Sequence, residues 1–424
     1  MWKKFTSTIK TMLSDKSLRN KVLFVLFALV IFRLLSTIPI PGVDRLALAQ
    51  FVEGNQLVGL LNLFSGGGLS QLSIIMLGIG PYITASIIMQ LMTVVVPRIK
   101  EMYHEEGQSG RMRFNMISRY LTIPIAVIQG LSLLSILQSQ GILNYVTFGD
   151  RIFDVIIVTA GAMLLTWIGE LMTEFGIGNG VSILIFAGII AVIPQQFGQL
   201  ATVFDIAQLG TYIGFVVAAI AIIFGVVMVT EAERPIPITY AKQARAGQVY
   251  GGTSTYLPLR INMAGVMPLI FALSLLLFPQ VIGQFFSAAD SYTLNQIGGF
   301  LLKLIGNSWF YSIFYFVLVF VFTYFYTAIT FEPESVAENL QKNGAFVPGV
   351  RPGERTAEYL GSVLSRITLV GAFFLATIAV IPIIIQSVTG IASFAIGGTG
   401  LLIVVAVVID TIKKIDAQAS MRQY

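Results

Sequence analysis

"NLFSGGGLSQLSIIMLGIGPYITASIIMQLMTVVVP", from Asn62 to Pro97, joins two pieces that obey different rules. Ile74 to Val96 is apolar and long enough to cross a bilayer, for which about 20 residues suffice. Asn62 to Ser73 is too polar and too rich in glycine to cross, yet it carries Leu63, Phe64, Leu69 and Leu72, which water would not welcome. A segment that neither spans nor dissolves must be held by the protein around it.

Working outward, the whole chain has the same bias. Of its 424 residues 56% are hydrophobic and 11% charged, and the mean hydropathy is +0.84. A soluble protein carries about 25% charged residues, so most of this surface faces lipid. Ten membrane spans are expected, over 22–40, 74–96, 117–137, 152–172, 181–198, 210–230, 261–283, 309–331, 363–386 and 394–412. The basic N-terminal "MWKKFTSTIKTMLSDKSLRNK" precedes an apolar run with no small-residue cleavage site, so the first span is read as retained.

Lys and Arg set the orientation. Of the 26, 22 fall in alternate connections: the N-terminus, 97–119, 231–260, 331–366 and the tail. Arg45, Arg151 and Lys303 lie on the other side, and Arg33 lies inside the first span, where snorkelling accounts for it. Both termini are therefore expected in the cytoplasm. Ten spans divide into five and five, giving halves 1–205 and 206–424, the second inverted because five is odd. Each half has a glycine- and proline-interrupted second span, "LGIGPYITA" and "NMAGVMPLIFA". Interrupted helices at matching positions of inverted halves point to a central pathway between them.

Catalytic chemistry finds little support. With no cysteine and one histidine, the chain is expected to bind no metal, and no cofactor is implied. Gly66–Gly68 is not followed by the Gly-Lys-Ser/Thr of a phosphate loop, and "GIGNG" at 176–180 joins two spans as a tight turn. "GQSG" at 107–110 and His104 share one polar connection, where a nucleophile and base have no shielded pocket. Glu170, Asp410 and Asp154 sit near span ends, so ion coupling is disfavoured. The two long connections 231–260 and 331–362 are basic and rich in glycine, proline and aromatics, as a docking platform for acidic protein or RNA phosphate would be.

"NLFSGGGLSQLSIIMLGIGPYITASIIMQL", "GIGNGVSILIFAGI", "STYLPLRINMAGVMPLIFA", "FVPGVRPGERTAEYL" and "GGTGLLIVVAVVID" resemble the bacterial SecY family of protein-translocation channels, in order, from about Leu18 to Asp416. The resemblance implies an all-α polytopic fold of ten helices around an hourglass pore in the plasma membrane. It implies SecE and SecG as membrane partners, and SecA or a translating ribosome on the cytoplasmic side. Signal peptides and unfolded polypeptides would pass across or exit into lipid.

Residue by residue, the resemblance implies a pore ring of Ile79, Ile83, Ile185, Ile270 and Ile403. It makes 62–73 the plug, with Leu63, Phe64, Leu69 and Leu72 packing on the constriction and Gly66, Gly67 and Gly68 letting the segment swing. Thr84, Gln90, Gln129, Asn262 and Phe278 fall on the lateral gate, between the second and third spans on one side and the seventh and eighth on the other. Lys242, Arg245, Arg351 and Arg355 fall in the docking loops, although "AERPIPI" carries fewer basic residues than many relatives. The alternative left open is an ion-coupled secondary transporter of small solutes.

Overall fold

The computed structural model describes residues 15–41, 62, 65–143, 148–202, 209–240, 243–245, 248–250, 254–287, 292–389 and 392–420. Its helices are α1 (Lys16–Leu35), α2 (Gly80–Val95), α3 (Pro97–His104), α4 (Gly107–Ser139), α5 (Phe148–Phe175), α6 (Gly180–Thr202) and α7 (Leu209–Glu231). They continue as α8 (Met267–Ser287), α9 (Tyr292–Gly306), α10 (Ser308–Thr330), α11 (Pro333–Lys342), α12 (Glu354–Thr389) and α13 (Ala392–Ser420). Every expected span overlaps one of these. Among the described residues five helices are at once long and apolar enough to cross a membrane, or six if the bent pair α2–α3 is one span.

The fold is mostly helical, but strands among the described residues depart from the all-α expectation. Between α7 and α8 lie β1 (Glu233–Tyr240), β2 (Gln243–Arg245), β3 (Gln248–Tyr250) and β4 (Ser254–Arg260), and β5 (Ala345–Phe346) follows α11. β1 pairs antiparallel with β4 along its length and with β5 at its end, giving the order β4-β1-β5; β2 and β3 form a separate hairpin. The reason is local. "ERPIPITY" alternates, burying Ile236 and Ile238 and exposing the residues between, which is a strand period rather than a helical one. Pro235 stands opposite Pro258, so neither is asked for an N–H it lacks.

Two other boundaries differ from expectation. The span expected from residue 74 becomes helical only at Gly80, where Pro81 occupies the first turn with its ring already set at a helical φ. The connection after α2 is exposed but helical rather than a loop. Pro97 drives Val96 into extended backbone, and α3 turns by 112° from α2. A Cβ on Gly110 would stand 2.0 Å from the Met102 carbonyl oxygen, so glycine lets α3 fold against α4. Tyr103 meets Phe114 at 4.8 Å, and Arg111 lies over Tyr103 at 5.8 Å.

α1, α2, α4, α5 and α6 pack on one another, as do α7, α8, α10, α12 and α13. The two groups meet principally where α13 touches α6 and where α8 touches α2 and α4. α4 and α5 are tied by Arg119 Nε donating to Glu170 Oε1 at 3.1 Å. Lys413 of α13 donates to the Thr230 carbonyl at 3.1 Å and pairs with Glu231 at 2.8 Å, holding the end of α7. Ile213, Val216, Ile220, Phe224 and Met228 of α7 are exposed, as suits a helix bathed in lipid.

Candidate functional site

Ile79 caps the start of α2, with Ile83 and Ile87 one and two turns further on. Residues four apart on a helix share a face. Ile185 lies in α6, Ile270 in the first turn of α8 and Ile403 in α13. These four helices bring the five expected isoleucines into one buried cluster with Ile75, Ile189 and Phe271. None of the five exceeds 4% exposure. Their side chains offer no donor, acceptor or charge. An apolar ring of this kind, if it lined a pore, would repel water and hydrated ions by dewetting and give a passing peptide nothing to adhere to.

The stretch 65–79 winds through consecutive turns between α1 and α2. Main-chain bonds tie its base to residues 38–40: Ile40 N–H donates to the Leu72 carbonyl at 2.8 Å and Ile74 N–H to the Ile38 carbonyl at 3.0 Å. Its glycines make close contacts. A Cβ on Gly66 would stand 2.5 Å from the Phe32 ring and 3.2 Å from Gly188 Cα, and one on Gly68 would stand 2.7 Å from Ser73 Oγ. Gly66 and Gly67 also adopt φ of 67° and 82°, which residues with a Cβ avoid.

The leucines correct an expectation. Leu69 and Leu72 are fully buried, but among Ile40, Met76, Leu134, Leu137 and Val158, a cluster built on α4 and α5 and separate from the isoleucine cluster. Ile75 joins the isoleucine cluster instead. Leu63 and Phe64 lie outside the described residues.

At the expected gate, α8 packs on both α2 and α4. Thr84 Oγ1 donates to the Gly80 carbonyl at 3.0 Å within its own helix. Gln90 Nε2 donates to Ser86 Oγ at 3.4 Å, and Gln90 Oε1 is buried with no hydrogen-bond partner among the described residues. Gln129 of α4 approaches Gly80, its Oε1 lying 4.0 Å from where a Cβ would be. Phe278 is 44% exposed on α8. Asn262 does not join them. It closes a turn, its Nδ2 donating to the Gly265 carbonyl at 3.2 Å and its Oδ1 accepting from Gly265 N–H at 2.9 Å. It lines a crevice with Val226, Phe374 and Leu402, on the α7, α12 and α13 side. The turn consumes both halves of its amide.

The two long connections form one packed unit. Ile236, Leu259, Val347, Leu360, Val363 and Ile367 share a core under the three-stranded sheet. Arg351 and Arg355 are exposed beside a shallow depression with Glu358 and Tyr359. Thr356 Oγ1 donates to the Arg351 carbonyl at 2.8 Å, fixing the backbone, while Arg355 pairs with Glu358 at 3.1 Å. Arg245 ends β2. Lys242 lies outside the described residues.

The SecY family profile matches residues 73–412. The chain belongs to the SecY family. It is 42% identical over 426 residues to the protein translocase subunit SecY of Streptomyces galbus, covering 96% of each chain. To that of Mycobacterium bovis it is 40% identical over 453 residues, covering 99% of this chain and 98% of that one. Its fold is also that of a solved protein-conducting channel, with a TM-score of 0.67 at 19% identity over 96% of this chain and 93% of the other. Sec61 from a canine ribosome–channel complex of the endoplasmic reticulum gives a TM-score of 0.60 at 18% identity, with 96% and 93% covered. Membership makes the chain a protein-conducting channel subunit, neither an enzyme nor a solute transporter.

Within this SecY-family fold, sequence reasoning missed the contacts of four residues. Ile75 joins the isoleucine cluster from the turn segment. Phe32 and Gly188 clasp Gly66 from two helices. Arg33 donates to the Gly66 carbonyl at 3.0 Å. Ile75, Phe32 and Gly188 each read in sequence as one more residue of an apolar span, and the charge of Arg33 stood out but was read as snorkelling.

Proposed function

We propose that this chain is the pore subunit of the general secretory translocon of a bacterial plasma membrane, passing unfolded polypeptides across and releasing hydrophobic segments sideways into lipid. Ten spans in two inverted halves of five, with both termini cytoplasmic, would surround a pore narrowed by Ile79, Ile83, Ile185, Ile270 and Ile403. The segment 62–73 serves as the plug; one solved relative has a plug domain that stabilises the closed state and maintains a membrane seal. Thr84, Gln90, Gln129 and Phe278 line the lateral gate, where α8 meets α2 and α4. SecE and SecG bind in the membrane. SecA or a ribosome docks on the strand platform through Arg351, Arg355 and the β2–β3 hairpin, and the ribosome-bound Sec61 relative supports the latter.

The observation that carries this reading is the convergence of five isoleucines from four helices into one uncharged, buried cluster, with a non-spanning segment tucked beside it. Purified chain with SecE in proteoliposomes tests it. Motor and ATP should drive a signal-bearing polypeptide into protease-protected space. Solute flux that follows an ion gradient, with no polypeptide uptake, would sink the reading.

A further inference from the structure

In sequence Arg33 is a charge in the last turn of a span, where a guanidinium snorkels outward or simply complements the helix C-terminus. In the structure the residue stays exposed, but its guanidinium bends onto the turn segment. Its Nη1 donates to the Gly66 carbonyl at 3.0 Å and comes within 3.9 Å of where a Cβ on Gly67 would stand. The preceding residue, Phe32, presses its ring on the same glycine, 2.5 Å from its absent Cβ. Two successive residues of α1 thus hold one peptide, one by shape and one by charge.

The rest of the segment is held differently. Its base is tied by main-chain bonds to residues 38–40, and Ser73 N–H donates to the Gly68 carbonyl at 2.8 Å. Those bonds travel with the backbone. Between base and tip lies Leu72, a non-glycine at φ 43°, a conformation that persists only while its surroundings impose it. The segment therefore carries strain at its joint and a side-chain tether at its tip.

We propose that Arg33 is a positioning residue that latches the 65–73 segment in the idle channel through its bond to Gly66, an inference that rests on reading that segment as the plug. A hydrogen bond from a charged donor is about twice as strong as a neutral one. It can also break without unfolding α1. A polypeptide entering the pore must lift Gly66 from between Phe32 and Gly188, and so must break this bond.

The test uses the full chain with its membrane partners in planar bilayers, with a spin label on Gln71→Cys, since the chain has no native cysteine. Arg33→Gln should raise the idle open fraction roughly tenfold, equivalent to about 1.4 kcal/mol. It should also mobilise the label and leave motor-driven translocation intact. Arg33→Lys, which keeps the charge and a donor, should restore much of the seal. In a channel deleted for residues 65–72, which leaks by itself, Arg33→Gln should add nothing. If the deletion leaks while Arg33→Gln neither leaks nor frees the label, the latch is wrong and the plug stands. Extra leak from Arg33→Gln in the deleted channel would place its action elsewhere and overturn the latch. If the deleted channel stays sealed, the plug reading falls and the latch falls with it.

Discussion

Thr239 of β1 stands opposite Phe346 of β5, and through this pairing two connections a hundred residues apart become one platform. Ile236 beneath it is 2% exposed among Leu259, Val347 and Leu360, whereas Arg351 is exposed on its surface. The two positions should respond differently. Arg351→Glu should lower motor-driven export by at least roughly tenfold, the loss of one charge-assisted contact, while SecE still co-purifies. Ile236→Asp buries an unpaired charge and should lose assembly and export together. Normal ATP-dependent export by the Arg351 variant in purified vesicles would remove that residue from the docking site.

The isoleucine constriction should trade stability against sealing. Truncating a buried isoleucine to alanine costs about 2–5 kcal/mol, so Ile270→Ala or Ile403→Ala should lower the melting temperature. Ile270→Asn adds polarity that wets the constriction, so its idle ion conductance should exceed that of Ile270→Ala. Equal currents from the two variants would show that this ring is not the hydrophobic barrier.

Gly161 of α5 sits against the carbonyl of Ile74, where a Cβ would stand 2.0 Å from the oxygen. Gly161→Ala must push α5 away from the base of the turn segment, at a cost of about 1–3 kcal/mol. Gly214 in α7 has nothing within 4 Å of its missing Cβ, so Gly214→Ala should stabilise by up to about 1 kcal/mol through helix propensity. Thermal unfolding in detergent should rank Gly214→Ala, wild type and Gly161→Ala in descending order.

α8 packs on α2, and these helices carry Phe278 and Thr84. Thr84→Cys with Phe278→Cys gives a cysteine pair in a chain that has no others. A direct disulfide needs Cα atoms within about 7 Å and should lock the gate, stopping export until it is reduced. A long flexible cross-linker at the same pair should permit at least partial export. High-yield disulfide formation with undiminished export would mean the gate lies elsewhere.

The expected spans were readable because lipid imposes a one-dimensional rule: about 20 apolar residues between polar connections. Each of those spans overlaps a helix, and the "GIGNG" turn holds, with Gly178 at φ 84° and Asn179 Oδ1 accepting from Val181 N–H at 3.0 Å. The five isoleucines were singled out through family resemblance, since hydropathy alone cannot tell buried Ile270 from Ile213 on the outside. The strand at "ERPIPITY" was not read from the sequence although its residues alternate, and the proximity of β5 could not be, because pairing across a hundred residues leaves no mark in either stretch.

Composition and periodicity thus determined by themselves that the chain lives in lipid, where its helices run, and that Asn62 to Ser73 could not span. Tertiary structure decided what that stretch touches. Leu69 and Leu72 turned to α4 and α5 rather than to the isoleucines, Asn262 spent its amide on its own turn, and Arg33 donated to the Gly66 carbonyl. The physical reason is the same in each case. Burial of an apolar side chain is rewarded wherever it occurs, so sequence predicts that it will be buried; the choice of neighbour depends on close packing and hydrogen-bond geometry that exist only once the helices have met.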